Sequence, residues 1–195
     1  MFKKTLSLLA LLAVVLSFSA CGKDGMNPAN KDLDSKYAEF VSGLELLYEG
    51  DPLAVVDTGK GMFAFEIFSE LVPLTSDNFI NLVDQRFYNG LKWHLVLPGT
   101  KIQTGDPTGI GTGGANVSPL KLETHPDLRH DKLGMVGMAR YENNLDSATS
   151  QFYIALDEEP EWDRKYAIFG QVIKGAEVLG SIKRNDKIES IVIIK

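Results

Sequence analysis

The glycine-rich stretch GDPTGIGTGG, at residues 105–114, is the first place where the sequence could form a chemical site. Glycines let backbone N–H groups approach an anion closely, so such a loop can cradle a phosphate. A phosphate-binding loop of this kind also needs a following Gly-Lys-Ser/Thr and a helix that starts at its end. The sequence has neither, so we expect turns here and no nucleotide binding.

Histidines and clustered carboxylates are the other candidates for metal or hydrolytic chemistry. His94, His125 and His130 lie at spacings that match no familiar zinc pattern, and Cys21 is the only cysteine. The segment DEEPEWD, at residues 157–163, gathers carboxylates without the spacing of an EF-hand calcium loop. We expect an acidic surface turn there. The sequence therefore predicts no metal site, no internal disulfide and no cofactor.

The elements that would position a site are mostly short β-strands. Eight runs rich in β-branched and aromatic residues are bounded by Gly, Pro, Asn and Asp: LAVVDT, GMFAFEIF, LKWHLVL, KIQT, GMVGMA, SQFYIAL, YAIFGQVI and ESIVIIK. Two segments, TSDNFINLVDQ and GAEVLGSIKR, have helical spacing instead, with Thr75 or Ser76 as the N-cap of the first. Neither helix has a core of its own, so we expect both to cover the open ends of a closed antiparallel barrel.

A further amphipathic helix is predicted at residues 36–50, ahead of the barrel. Apolar residues recur there at spacings of three and four, with Asp34 or Ser35 placed as a cap: Tyr37, Phe40, Val41, Leu44, Leu47 and Tyr48. The apolar stripe could bind a partner or pack against the protein's own domain. Packing against the domain is the simpler interpretation, and we expect it.

Several motifs resemble those of the cyclophilins, the peptidyl-prolyl cis-trans isomerases, and specifically their bacterial members. In chain order they are NFINLV with FYNG, PGTKIQTGDPTGIGTGG, LRHDKLGMVGMAR, DSATSQFYIAL and YAIFGQVI. Each motif alone is weak, but their order and spacing together make residues 53–195 resemble the family. The resemblance implies a mainly β domain, a closed eight-stranded antiparallel barrel capped by two α-helices. An outer groove would bind an extended peptide that contains proline.

The chemistry implied by the resemblance is rotation about an X-Pro peptide bond. This rotation must cross a barrier of roughly 18–20 kcal/mol, because twisting the amide destroys its resonance. No bond is broken, so neither a nucleophile nor a cofactor is needed. The site has to hold the proline ring in an apolar pocket while polar groups favour the twisted amide, whose nitrogen has become more basic.

The resemblance also assigns the groove residue by residue. Gln103 and Arg140 are the candidate catalytic groups, and Gln103 is expected to hydrogen bond the peptide backbone. Tyr153 takes the place of the aromatic floor of the proline pocket, and Tyr166 stands at its rim. At the end of the groove, Trp162 falls in an apolar slot usually held by leucine, with Glu161 in a tryptophan slot, or, with a one-residue shift, in the tryptophan slot itself. The full peptide-binding set is His94, Leu95, Thr100, Lys101, Gln103, Ala139, Arg140, Gln151, Tyr153, Trp162 and Tyr166.

Three positions depart from the family pattern. Leu95 stands where the family has an arginine whose guanidinium can donate to the prolyl carbonyl and nitrogen of the substrate. Thr100 and Lys101 replace an aromatic residue and a methionine that usually wall the proline pocket. Loss of one preorganised donor typically costs about 10²–10³ in rate, so we expect reduced efficiency unless Arg140 supplies the charge. The alternative is a non-catalytic proline-peptide binding module or chaperone on the same fold.

The start of the chain has the layout of an export signal. Two lysines precede an apolar run at residues 6–16, which is shorter than the roughly 20 residues of a membrane-spanning helix. Small residues then lead to Cys21, which resembles a bacterial lipoprotein cleavage site. We expect residues 1–20 to be a signal peptide, Cys21 to carry a lipid and residues 21–35 to be a flexible tether. An ordinary secretory signal with a chance cysteine is the alternative.

The charge of the chain disfavours nucleic acid as a partner. The formal net charge is −6, and loss of residues 1–20 with their two lysines would bring it to −8. No long basic run offers a surface for phosphates.

With the export signal and Cys21, the sequence predicts a monomer that is lipid-anchored in the bacterial cell envelope, either periplasmic or surface-facing. Its expected partners are proline-containing peptides or unfolded exported proteins.

Overall fold

The computed structural model of the protein describes residues 28–195. The predicted signal peptide, Cys21 and the first part of the predicted tether lie outside the described residues. Within the described part of the chain, no helix is long and apolar enough to cross a membrane.

Eight strands make up the body of the domain: β1 (Leu53–Thr58), β2 (Gly61–Ile67), β3 (Leu95–Leu97), β4 (Lys101–Thr104), β5 (Met135–Met138), β6 (Phe152–Ala155), β7 (Ile168–Lys174) and β8 (Ile188–Ile194). They form one antiparallel sheet in the order β3-β4-β6-β5-β7-β2-β1-β8. Each strand overlaps one of the predicted β-rich runs, and β1 and β4 match theirs to the residue. The prediction of a mainly β, eight-stranded antiparallel fold is confirmed.

The sheet is a curled half-barrel, so the prediction of a fully closed barrel is wrong in this respect. No ladder joins β3 to β8 in the described residues. Instead, the segment just before β3 meets the start of β8: the Trp93 N–H donates to the Asp186 carbonyl at 2.8 Å, and the Ile188 N–H donates to the Leu91 carbonyl at 2.9 Å. Because β3 has only three residues and Pro98, which lacks an N–H, follows it, its edge offers few groups for pairing.

The core lies inside the curl and is rich in aromatic residues. Alternate residues of the strands point inward, and Phe65, Phe152 and Phe169 are fully buried there. Phe79, from the helix that covers one end, packs its ring 5.1 Å from that of Phe169 and 5.5 Å from that of Phe152. Each such side chain contributes roughly 1.5–3 kcal/mol through burial, so this cluster fixes the sheet on which the site is built.

Two helices cover parts of the sheet: α2 (Pro73–Asp84) and the single-turn α3 (Ala176–Leu179), with α1 preceding β1. The prediction of Thr75 or Ser76 as the N-cap of α2 is wrong. The helix begins at Pro73, whose fixed φ suits the first helical turn. The Glu123 carboxylate replaces the cap, since it accepts the Thr75 N–H and hydroxyl, both at 2.9 Å.

The N-terminal helix α1 spans Pro28–Val41, so the predicted helix bounds of 36–50 are wrong. Residues 28–35 are helical, so the flexible tether predicted for residues 21–35 is wrong over this part. It ends because Gly43 adopts a left-handed φ of 74°, which terminates helices readily. The chain that follows is held by the buried Glu66 carboxylate, which accepts the backbone N–H groups of Leu47 and Tyr48 at 2.6 Å each. The buried apolar face of α1 packs on the outside of the sheet, with these residues in contact: Tyr37, Val41, Leu53, Val55 and Ala64.

Candidate active site on the outer face of the sheet

A row of residues crosses four neighbouring strands on the outer face of the sheet. Leu95 pairs with Gln103, Gln103 with Tyr153, and Tyr153 with Gly137. Residues that are directly opposite in antiparallel pairs share a face of the sheet. The adjacent row, which contains Ile102, Ile154 and Val136, is buried in the core. The row from Leu95 to Gly137 therefore forms the base of an outer groove.

Tyr153 fits into this row because its strand partner has no side chain. A Cβ atom on Gly137 would overlap the phenol oxygen and ring carbons of Tyr153. The phenol reaches Nε2 of His130 at 2.7 Å, and Nδ1 of His130 lies 3.0 Å from Oδ1 of Asp163. A carboxylate only accepts, so we assign the imidazole proton to Nδ1 and let Nε2 accept from Tyr153. Burial lowers the pKa of His130, and the hydrogen bond to Asp163 offsets this in part.

Two further aromatic side chains stand against Tyr153, and with it and His130 they form an aromatic cluster. The Trp162 ring lies edge-on at 5.3 Å between centroids, and the Tyr166 ring does so at 5.8 Å. Trp162 belongs to a 3-10 turn at Pro160–Trp162, while Glu161 in the same turn is exposed. Trp162 thus packs directly against Tyr153. Only 1% of Tyr153 is exposed.

Lys101 lies over this cluster from the start of β4. Its Nζ is 5.3 Å from the ring centroid of Tyr153 and 5.4 Å from that of Trp162, within the range of cation–π attraction. It also donates to Oε1 of Gln103 at 3.0 Å. Burial lowers the pKa of Lys101, and Glu159 offsets this in part. Thr100 lies just before Lys101 in the turn between β3 and β4 and is partly exposed.

Two glutamines continue the hydrogen bonding from Lys101 across the groove. Nε2 of Gln103 donates to Oε1 of Gln151 at 2.9 Å. Nε2 of Gln151 in turn donates to the carbonyl groups of Gly111 and Gly113 at 3.0 and 2.7 Å. All donors run in one direction, from the ammonium to the glycine-rich loop, so each bond polarises the next. The amides are thereby fixed in orientation, as a peptide-binding surface requires.

His94 is not on the groove surface. Only 5% of it is exposed, and it lies beneath Gly111, on which a Cβ would sit 3.6 Å from Cδ2 of the ring. Neither ring nitrogen has a hydrogen-bond partner in the described residues. Burial lowers the pKa of His94, with Asp106 opposing this, so the ring is neutral at pH 7. His94 therefore supports the loop rather than offering a donor to a peptide.

The glycine-rich loop is held by the buried carboxylate of Asp106. This group accepts the N–H and hydroxyl of Thr108 at 2.7 and 2.8 Å and the N–H of Gly111 at 2.5 Å. Burial alone would raise the pKa of Asp106, but these hydrogen bonds outweigh it and hold the pKa well below the usual range. The loop N–H groups that could have cradled an anion are thus bonded to the protein's own carboxylate.

Arg140 and Ala139 lie on the far side of the aromatic cluster. The Arg140 guanidinium lies 4.6 Å from the ring centroid of Tyr166 and donates to three backbone carbonyls, those of Lys165, Tyr141 and Glu142, at 2.7–3.1 Å. Both residues line a cavity of about 350 Å³ that also borders Gln103 and Gln151. The structure thus brings the predicted groove residues together, with two differences from the prediction. His94 is buried beneath the loop, and the Arg140 guanidinium is hydrogen bonded to backbone carbonyls.

A family model for "Cyclophilin type peptidyl-prolyl cis-trans isomerase/CLD" matches residues 53–195, which is well over half of the chain. The chain belongs to the cyclophilin family. Among curated relatives, peptidyl-prolyl cis-trans isomerase-like 1 of Aspergillus fumigatus is 38% identical over 138 residues, covering 68% of this chain and 84% of that protein. Peptidyl-prolyl cis-trans isomerase ppi1 of Schizosaccharomyces pombe is 38% identical over 148 residues, covering 72% and 94%.

Solved structures agree with the cyclophilin fold. A cyclophilin-type peptidyl-prolyl cis-trans isomerase of Cryptosporidium parvum, determined in the presence of the dipeptide Ala-Pro, superposes with a TM-score of 0.69 at 30% identity. The match covers 73% of this chain and 99% of that one. The cyclophilin AquaCyp293 of Hirschia baltica, at 22% identity and a TM-score of 0.63, supports the fold alone.

Two features of this cyclophilin were not predicted from the sequence. Lys101 was expected only as a polar replacement in the pocket wall, and no partner from a distant part of the chain was expected for His130. Tyr153 carried the signal for the second: a buried tyrosine nearly always finds a hydrogen-bond partner for its hydroxyl. Asp163 is 33 residues away from His130, so only the fold could reveal that pair.

Proposed function

We propose that this cyclophilin catalyses cis–trans isomerisation of X-Pro bonds. The observation that carries the proposal is the side-by-side placement of Gln103, Gln151 and the aromatic cluster on one outer face of the sheet. Aromatic rings can hold a proline ring, while the two amides can hold the peptide backbone beside it. Relatives named as peptidyl-prolyl isomerases, and a solved relative crystallised with Ala-Pro, support the same function.

The groove must rearrange before a proline ring can reach its floor. Lys101 and Trp162 cover Tyr153, which is only 1% exposed. A lysine side chain has four rotatable bonds, so Lys101 can leave the ring faces at the cost of its cation–π contacts, about 0.5–2 kcal/mol. That cost is subtracted from the binding energy. Together with the missing donor at Leu95, it supports the proposal of reduced efficiency compared with cyclophilins that keep the arginine.

The chemistry then needs no acid, base or nucleophile. The amides of Gln103 and Gln151 hold the backbone on one side of the prolyl bond while the aromatic cluster holds the ring on the other. One side can therefore rotate relative to the other. Catalysis follows to the extent that polar groups bind the twisted amide more tightly than the planar one.

We propose exported proteins as clients and the bacterial cell envelope as the location, with a lipid on Cys21. Support comes from the layout of residues 1–21, in which two lysines, a short apolar run and small residues precede the cysteine. Changing Cys21→Ser should move the protein from the membrane fraction to the soluble fraction. A variant that stayed with the membrane at unchanged mass would contradict the lipid anchor.

A non-catalytic proline-peptide binding module or chaperone is the second candidate. The observation in its favour is Leu95, which offers no donor at the centre of the groove, opposite Gln103. NMR exchange spectroscopy on short X-Pro peptides separates the two functions. Exchange faster than in buffer supports the isomerase. Peptide resonances that shift on binding without faster exchange would instead support the binding module.

A further inference from the structure

The sheet register places Leu95 and Gln103 side by side on the outer face. Directly paired residues of this kind have their Cβ atoms about 4.5–5.5 Å apart, so a cation at position 95 would stand next to the Gln103 amide. Lys101 precedes Gln103 by two residues in the same strand and therefore shares its face. Its ammonium bonds to Oε1 of Gln103 at 3.0 Å. Lys101 thus places a positive charge beside Gln103, where Leu95 provides none.

We propose that Lys101 is the catalytic cation of this cyclophilin. The proposal rests on the isomerase function above and names the group that stabilises the twisted amide. An ammonium has three N–H donors, and one bond to Gln103 is the only hydrogen bond of Nζ found among the described residues. Two donors are therefore free for the prolyl carbonyl or the pyramidal prolyl nitrogen of a bound peptide.

The bond to Gln103 also explains how the Lys101 ammonium can leave the aromatic rings and still stay close to the rotating peptide bond. A proline ring that enters the aromatic cluster displaces the ammonium from the faces of Tyr153 and Trp162. Gln103 itself is held by Gln151, so it can keep the ammonium at the edge of the pocket, beside the rotating bond. The groove is partly shielded from water, and a charge acts more strongly there than at an exposed site.

Arg140 is the other cation of the groove, and its contacts disfavour it for this role. Its guanidinium donates to three backbone carbonyls and stacks on Tyr166, so it is engaged on the far side of the aromatic cluster. Moving it would give up all of those bonds. Lys101 gives up only ring contacts and keeps its bond to Gln103.

The test compares Lys101→Met, which removes the charge and keeps an unbranched side chain, with Lys101→Arg, which keeps the charge. The control is Lys60→Met, which makes the same charge change in the exposed turn between β1 and β2. Catalysed exchange of an X-Pro peptide and the peptide Kd are measured for each. We expect Lys101→Met to lose about 10-fold to 100-fold in catalysed rate with a much smaller change in Kd. Lys101→Arg should retain most of the rate, and Lys60→Met all of it.

The pH profile gives an independent measurement on the unmodified protein. The catalysed rate should fall as the pH rises through the lowered pKa of Lys101, and Lys101→Met should lack that fall. A Lys101→Met rate that is unchanged or higher overturns the proposal, and a higher rate would make the lysine a block in the pocket. If the wild-type protein binds the peptide without accelerating exchange, the proposed isomerase function is wrong, and the proposal for Lys101 is wrong with it.

Discussion

The Tyr153 phenol donates a hydrogen bond of 2.7 Å to Nε2 of His130, directly beneath the proposed proline pocket. His130 is fully buried, and its ring lies nearly parallel to that of Tyr153, at an interplanar angle of 18°. Asp163 lies against the other ring nitrogen. The floor of the pocket is thus tied to the chain that follows the Trp162 turn, so floor and wall are positioned together.

Tyr153→Phe should destabilise the protein by about 1–3 kcal/mol without emptying the pocket floor. The substitution leaves Nε2 of the buried His130 without its donor, and an unsatisfied buried polar atom costs roughly that amount. The aromatic ring itself remains. Urea unfolding measures the change in the free energy of unfolding, with Tyr166→Phe as the control at a partly exposed tyrosine. Equal effects of the two substitutions would contradict a structural role for the Tyr153–His130 bond.

Gly137→Ala should damage the pocket floor through sterics alone. The new methyl group would overlap the Tyr153 phenol, so the ring must leave its place or the strands must separate. Overpacking of this kind typically costs about 1–3 kcal/mol. The matched control is Gly180→Ala, because a Cβ there meets nothing within 4 Å. Thermal unfolding and peptide titration should both be impaired for Gly137→Ala only, and unimpaired peptide binding would show that Tyr153 is not the floor.

The free energy of unfolding should fall as the pH is lowered from 7 toward 5. Burial lowers the pKa of both His94 and His130 below 6.5 in the folded protein, so the unfolded chain binds more protons in this range. The stability due to the two neutral rings is complete above the unfolded-state pKa of about 6.5 and is lost as the pH falls below it. Each ring contributes a slope of up to about 1.4 kcal/mol per pH unit.

Denaturant unfolding at several pH values between 5 and 7.5 checks this expectation. The His130→Gln variant serves as the comparison, since it lacks one of the two titrating rings and should show a shallower slope. A wild-type stability that stays constant over this range would mean that neither ring is held neutral by the fold.

The strands were predictable because their signals are local. Alternating β-branched and aromatic residues between turn residues mark all eight strands. For β1 and β4, the predicted first and last residues are those of the structure. The end of α1 near Gly43 was not predicted, because apolar residues recur at helical spacing as far as Tyr48. Closure of the barrel was not predictable, since it depends on the length of β3, and the predicted run LKWHLVL is longer than the three residues that form the strand.

The residues of the groove could be predicted from the sequence, but the contacts between their side chains could not. The resemblance to the family placed Gln103, Gln151 and Tyr153 in one groove, because strand register follows from the motifs. It did not predict that the Lys101 ammonium bonds to Gln103, since a side-chain conformation depends on its neighbours. The burial of His94 beneath the glycine-rich loop was missed for the same reason.

Leu95→Arg should raise the catalysed rate, and the size of the gain should depend on Lys101. A guanidinium at position 95 would stand beside Gln103, where it could donate to the rotating amide. In the wild-type background, however, it would meet the Lys101 ammonium at the same glutamine, and two adjacent cations repel each other. We therefore expect a gain well below the 10²–10³ that one such donor can contribute.

The double variant Leu95→Arg with Lys101→Met removes that repulsion and replaces one cation with the other. If Lys101 supplies the catalytic charge, Lys101→Met alone should be slow, and adding Leu95→Arg should restore the rate by about 10-fold or more. Adding Leu95→Lys to Lys101→Met tests whether any positive charge suffices, since an ammonium lacks the fork of a guanidinium. Peptide exchange by NMR measures the wild-type protein, the two single variants and the two double variants under the same conditions. Because the two positions share one amide partner, their effects should be strongly non-additive, and simple additivity would show that they act at separate places in the groove.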